Sequence, residues 1–251
     1  MKRLIAVTAI GLAVVVAGAG RASAAEITVW TARALATVLA ETGARFERAT
    51  GHRLVVSTDL GSAWLRRAAA GEPFDLVISG ASTVDVLIKD GKVMAQTRTA
   101  IARSGIGVAV RAGAPRPDIG SVDAFKRALL DARSIAYLRV GSGVYLAGLL
   151  DRLGIAEAIR SKVTRPDTDV VSELVAQGEV ELGMVVITQI LTTPGVDLVG
   201  PLPPEIQSYV TFTAGIGARA HVPDAATQLI TFLKGPTATP VIRAQGMEPA
   251  P

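Results

Sequence analysis

Gly141-Ser142-Gly143 is the stretch of this sequence whose residue types most invite a chemical reading. A serine between two glycines can be a nucleophile, a hydroxyl donor on a pocket rim, or a helix N-cap. A nucleophile needs a base, and the chain holds only two histidines, His52 and His221. Each stands beside a predicted strand or turn with no motif around it, so both read as structural or surface residues. Ser142 also lies outside the G-x-S-x-G elbow of hydrolases. A secreted serine hydrolase using Ser142 or Ser62 is therefore a weak rival.

Three other junctions share the small, polar character of this turn: Thr31-Ala32-Arg33-Ala34, Asp59-Leu60-Gly61-Ser62 and Asp167-Thr168-Asp169. A helix start leaves its first N–H groups unpaired and carries the positive end of the dipole. Glycine lets backbone approach a ligand, and serine adds a hydroxyl donor. Several such ends converging would hold an oxyanion without a metal. Arg33 adds a guanidinium, which suits bidentate pairing with a carboxylate; Arg139, just before the glycine turn, is a second candidate. The competing reading of Ser62, Ser82, Ser121 and Ser142 is plain capping, worth about 1 kcal/mol per helix. Ser82 and Ser121 have no glycine turn and read as caps, Ser82 with Asp85 resembling a capping box. Ser62 and Ser142 can cap and meet a ligand at once.

The elements that must position these junctions follow from periodicity. Ile27 to Trp30 reads as a strand, followed by helix spacing at Leu35, Val38, Leu39, Thr42 and Phe46, with Gly51 just past its end. Leu54 to Val56 and Phe74 to Ile78 are further strands, each followed by a short helical stretch, opened by Ser62 and by Ser82. Gly107 to Val110, Ile135 to Leu138, Leu182 to Val186 and Val210 to Ile216 continue the strands. Helices are predicted from Ser121 to Leu130, after the glycine turn, near Val170 to Ala176, over Pro223 to Leu233 and over Pro240 to Ala244. Strand–helix alternation predicts an α/β fold with a parallel sheet covered by helices. Ligands in such folds bind beyond the carboxyl ends of the strands, where the four polar junctions fall.

Composition narrows the class. The chain has 251 residues and no cysteine, which excludes disulfides and thiolate metal sites. Lys2 and Arg3, the apolar run Leu4 to Val16 and the small-x-small step Ala22-Ser23-Ala24 predict an export signal, residues 1–24, cleaved after Ala24. Its apolar core is shorter than the ~20 residues needed to span a bilayer. Without it, 23 basic residues stand against 22 acidic ones, scattered rather than in runs. With 4% aromatic residues and no basic run, the composition argues against nucleic-acid binding.

The order of motifs resembles the periplasmic molybdate-binding proteins of ABC transporters, a branch of the type 2 bilobed solute-binding fold. The resemblance rests on Ile27 to Trp30 leading into Leu35, on Phe46-Glu47-Arg48-Ala49-Thr50-Gly51 and on Ala70 to Ser79. It continues through Gly143-Val144-Tyr145 with Arg152-Leu153-Gly154, Glu181-Leu182-Gly183, Gly200-Pro201-Leu202-Pro203, Phe232 to Pro236 and Gln245-Gly246-Met247. It implies two lobes, 25–106 with 211–251 and 107–210, each a mostly parallel sheet flanked by helices. It further implies a periplasmic monomer with no cofactor that binds a small anion, molybdate or tungstate in type, and docks on a permease. A ligand-sensing role at a membrane receptor is the alternative to transport. Carried over by motif, the ligand positions are Ala34, Gly61, Ser62, Ser142, Gly143, Thr168 and Val186, with Thr31 as a compensating hydroxyl and Arg33 as the guanidinium of the adjoining loop added from the residues themselves. Two depart from the family pattern: Ala34 stands for a serine and Val186 for a tyrosine. Losing a buried donor costs on the order of 1 to 3 kcal/mol, which leaves a small carboxylate, held by Arg33, as the alternative ligand.

Overall fold

The computed structural model describes residues 24–250. The export signal anticipated at residues 1–24 lies almost wholly outside them. The chain runs β1 (Glu26–Thr31), α1 (Arg33–Thr50), β2 (Arg53–Thr58), α2 (Gly61–Ala69), β3 (Leu76–Gly80), α3 (Ala81–Lys89) and the long β4 (Thr99–Arg111). It continues with α4 (Val122–Asp131), β5 (Ile135–Tyr137), α5 (Ser142–Arg152), α6 (Ala156–Ile159), β6 (Val163–Thr164), α7 (Val171–Gln177), β7 (Leu182–Val186), α8 (Ile187–Thr192) and β8 (Val196–Pro201). Then come β9 (Tyr209–Ile216), α9 (Pro223–Lys234), α10 (Thr239–Ala244) and β10 (Glu248–Pro249).

The strands form one continuous array, β2-β1-β3-β9-β4-β7-β5-β6, with β8 and β10 also paired to β4. The ladders divide it into two lobes. In lobe 1, β1 pairs in parallel with β2 and β3, and β9 joins β3 to the first half of β4 as an antiparallel strand. In lobe 2, β5 lies parallel to β6 and β7, while β7 and β8 run antiparallel to the second half of β4. β4 thus changes partners between Gly105, opposite Tyr209, and Ile106, opposite Val186. At that step the Gln207 side chain acts as a short stretch of strand. Its Oε1 accepts from the Ile106 and Ser208 N–H groups at 3.0 and 2.8 Å, and its Nε2 donates to the Ile106 carbonyl at 3.0 Å.

Helices cover both faces of each half-sheet, which explains why most strands read as continuous apolar runs. Behind lobe 1, α1, α9 and α10 bury Leu35, Val38, Phe46, Leu229 and Ile242 against Ile27, Val29 and Ile78. On its other face Trp30, Trp64 and Phe74 stack, with ring centroids 5.1 and 4.3 Å from Trp30, and the Arg67 guanidinium caps both indoles at 4.8 Å. Lobe 2 has matching layers, Phe125, Leu129, Leu146 and Met184 on one side and Val171, Val175, Val185 and Ile190 on the other.

Two expected caps differ in outcome. Ser121 caps α4, accepting from the Ala124 N–H at 3.2 Å. Ser82 caps nothing: α3 starts one residue earlier, its N-cap is Gly80, and Asp85 pairs with Arg98 instead of reaching back. The helix after β7 and the strand Val196–Pro201 have no counterpart in the sequence-based reading.

Candidate functional site

The loops after β1, β2, β3, β5 and β7 all open on one cavity of about 550 Å3 at the seam of the lobes. The starts of α1, α2, α3 and α5 stand around it, with N-caps Ala32, Leu60, Gly80 and Gly141, and none of the four has a side-chain cap. Their first N–H groups, apart from those that close a turn on nearby backbone as Gly143 does on Val140, therefore remain for solvent or a ligand. Hydroxyls of Ser62, Ser79, Ser82, Thr83 and Ser142 share the lining, together with an apolar wall of Ile106, Leu138, Val140, Val186 and Phe212.

Arg33, Ala34, Gly61, Ser62, Ser142 and Val186 of the expected set come together here. Thr168 lines an adjoining cavity of about 470 Å3 that shares Arg33, Asp59, Ser62 and Asp169 with the first. Thr31 and Gly143 serve differently from expectation. Thr31 is fully buried in β1, its hydroxyl donating to the Ala32 carbonyl at 3.2 Å. Gly143 is a packing glycine: a Cβ there would lie 1.6 Å from the Leu138 carbonyl oxygen. Its N–H closes the turn on the Val140 carbonyl. Ser142 is buried on the cavity wall but is no cap; that position belongs to Gly141, whose φ of 59° and ψ of −125° suit only glycine. Ser62 likewise sits inside α2, after the N-cap Leu60. Gly61 is glycine because a Cβ would meet the Thr83 hydroxyl at 2.1 Å.

Arg33 opens α1 on lobe 1 and reaches across the seam. Its Nη2 pairs with Glu173 of α7, and its Nη1 donates to the Asp169 carbonyl at 3.0 Å. The Asp169 carboxylate accepts from the Gln189 side chain of α8. Burial pushes the Asp169 carboxyl above its ordinary value; the Arg33 charge and the Gln189 bond counter this, and Glu173 adds to it. Arg139 points elsewhere, paired with Asp167 at 2.7 Å and largely exposed. Neither histidine lines the cavity: His52 accepts from the Ala25 N–H behind α1, and His221 lines a separate cavity beside Phe74. The pairing of serine and base that a hydrolase needs is thus missing from Ser62 and Ser142. Asp169 and Gln189 escaped the sequence reading of the site. Asp169 was visible as part of a polar junction, whereas Gln189 lies on a helix that periodicity did not reveal.

Two lobes joined at one shared strand, with a cavity ringed by helix starts between them, make this a type 2 periplasmic-binding-protein fold. The chain belongs to the bacterial extracellular solute-binding proteins, whose family model matches residues 27–248. It is 32% identical over 231 residues to an aconitate isomerase of Pseudomonas sp, covering 90% of this chain and 88% of that protein. It is 28% identical over 247 residues to the molybdate-binding protein ModA of Azotobacter vinelandii, covering 93% and 95%. Among solved structures, the periplasmic molybdate-binding protein of Azotobacter vinelandii superposes with a TM-score of 0.74 at 21% identity, over 88% of this chain and 98% of that one.

Proposed function

We propose that the protein is the periplasmic solute-binding component of an ABC importer, and that it holds a small polycarboxylate anion between its lobes. The observation that carries this reading is the composition of the cavity wall. A guanidinium, Arg33, stands among uncapped helix starts, while Ala34 and Val186 present carbon where a bare oxyanion would want donors. A carbon skeleton with carboxylates at its ends matches apolar wall and cationic pole together. A cavity of about 550 Å3 falls within the range of small organic ligands. The lobes, bounded near residues 106/107 and 210/211, close by bending at the Gly105–Ile106 step and at Gln207, and the permease reads the closed form.

A thermal-shift panel on the mature protein tests the ligand class, with citrate, tricarballylate, succinate, sulfate, molybdate and tungstate. At about a hundred times Kd a ligand stabilises by about 2.7 kcal/mol. Polycarboxylates are expected to shift the melting temperature; a response to molybdate and tungstate alone overturns the assignment in favour of a tetrahedral oxyanion held by backbone donors.

A second reading, catalysis on a bound polycarboxylate, has one observation in its favour. Asp169 is a cavity carboxyl that burial pushes above the ordinary carboxylate value, the direction in which proton-transfer groups are tuned. Incubating the protein with cis-aconitate and following the proton spectrum decides it. Isomerisation by the native chain that disappears in Asp169→Asn supports catalysis, and an unchanged spectrum leaves binding alone.

A further inference from the structure

Lobe 1 carries a second recess, of about 420 Å3, at the end of its sheet opposite the interlobe cavity. β3 leads into the interlobe cavity with Ser79 and Gly80 and is entered from the recess through Phe74. β9 starts in the interlobe cavity at Tyr209 and runs out into the recess at Gly217. No residue lines both. Three side chains that carry or can take up positive charge stand around the recess: Lys92, just after α3, and Arg219 and His221, after β9. Lys92 is half-buried and the other two are exposed. Glu72 is the acidic residue of the lining, and Arg67 engages both of its oxygens.

Among the described residues, no carboxylate pairs with Lys92, Arg219 or His221. The large recess of lobe 2 shows the contrast. There Arg116, Arg127 and Arg133 share the lining with Asp118, Asp131 and Glu181, so its charges cancel, whereas those of the lobe 1 recess do not. The backbone also holds the segments of the lobe 1 recess against one another. Asp75, buried beneath them, accepts from the His221 and Val222 N–H groups through Oδ1 at 2.7 and 3.3 Å, and from the Thr28 N–H through Oδ2 at 2.8 Å. The Gly217 and Ala218 N–H groups donate to the Asp75 and Lys92 carbonyls at 2.9 and 2.8 Å. Gly217 runs so close to the entry of β3 that a Cβ there would lie 2.4 Å from the Phe74 carbonyl oxygen. The loops that bear the cationic side chains are thus fixed by the fold, and an anion need not order them on binding.

We propose that this recess is a second anion site, separate from the interlobe cavity, and that it takes the phosphate group of a small molecule in solution. Arg219 offers a fork of N–H donors, Lys92 a point charge with rotatable donors, and His221 a ring N–H. Donors from these separate positions suit the several oxygens of a phosphate better than the two of a carboxylate, which one guanidinium satisfies alone.

Proton NMR of the imidazole C–H signals tests this on the mature native protein. The chain has two histidines, and buried His52 is an internal control; His221→Gln identifies the signal of interest. Pyrophosphate, inorganic phosphate and glycerol phosphate are titrated at constant ionic strength against chloride. The His221 signal is expected to move saturably with pyrophosphate and with glycerol phosphate while that of His52 stays still. Combining Lys92→Gln with Arg219→Gln, both at the surface, is expected to weaken pyrophosphate about tenfold, the effect of losing two exposed charge contacts. A His221 signal that does not move, or that answers chloride as strongly as phosphate, overturns the site, and so does an undiminished response in the double variant. A signal that moves with vesicles of phosphatidylglycerol but with none of the soluble phosphates overturns the small-molecule assignment in favour of a lipid headgroup.

Discussion

A residue's type tells what it can do, and its neighbours decide which of those things it does. Gly143 shows this well, because a glycine beside a pocket serine looks like ligand-facing backbone. The structure sets it instead against the Leu138 carbonyl, with room for no side chain. Gly143→Ala is expected to destabilise by about 3 kcal/mol, since neither α5 nor the end of β5 can yield, and the midpoint of urea unfolding measures it. Asp169 carries a pH signature. A carboxyl whose folded-state value is raised favours folding below the unfolded value of 3.8 and loses that contribution as pH rises through the folded value. Asp169→Asn should therefore stabilise the protein at pH 7, with a gain that shrinks toward zero as pH falls to 3.8; a gain equal at both ends contradicts the burial argument. Arg33 was recognisable as a candidate from its place after β1. Its partners were not, because Asp169 lies 136 positions away and nothing local encodes that meeting.

Secondary structure was more legible than side-chain roles. Long, doubly covered strands such as β1, β3 and β7 announce themselves as apolar runs, and α1 by its spacing and by Gly51 in the left-handed conformation at its end. What escaped were elements whose pattern is broken by their position. The first half of β4 mixes small and charged residues because it lies between β9 and β10 at the seam. β8 is half-buried from Val196 to Gly200 and exposed at Pro201, so it shows neither alternation nor an apolar run. α8 spans six residues, too few for a helical period to emerge. The capping outcome gives a matched test. Ser121→Ala should cost about 1 kcal/mol, the usual value of an N-cap, whereas Ser82→Ala should leave the urea midpoint unchanged. Equal losses at the two positions would contradict the assigned helix starts.

For the molecule as a whole, the fold places the carboxyl ends of parallel strands, from both lobes, around one cavity, and the proposed anion site uses that arrangement. The electrostatics of the proposed site come from backbone as much as from side chains: helix starts supply positive ends without a lysine cluster, and the full sequence carries a net charge of only +4. Gln207 lets the lobes share one strand while remaining separable, since its amide satisfies the backbone where one ladder stops and the next begins. The central claim is that the ligand sits at this seam and touches both lobes at once. Hydrogen–deuterium exchange of the mature protein, with and without saturating tricarballylate, measures it most directly. Protection is expected together at the starts of α1, α2 and α5 and at residues 167–169. Protection confined to one lobe, or absent from these segments while the anion binds, would contradict the interlobe site.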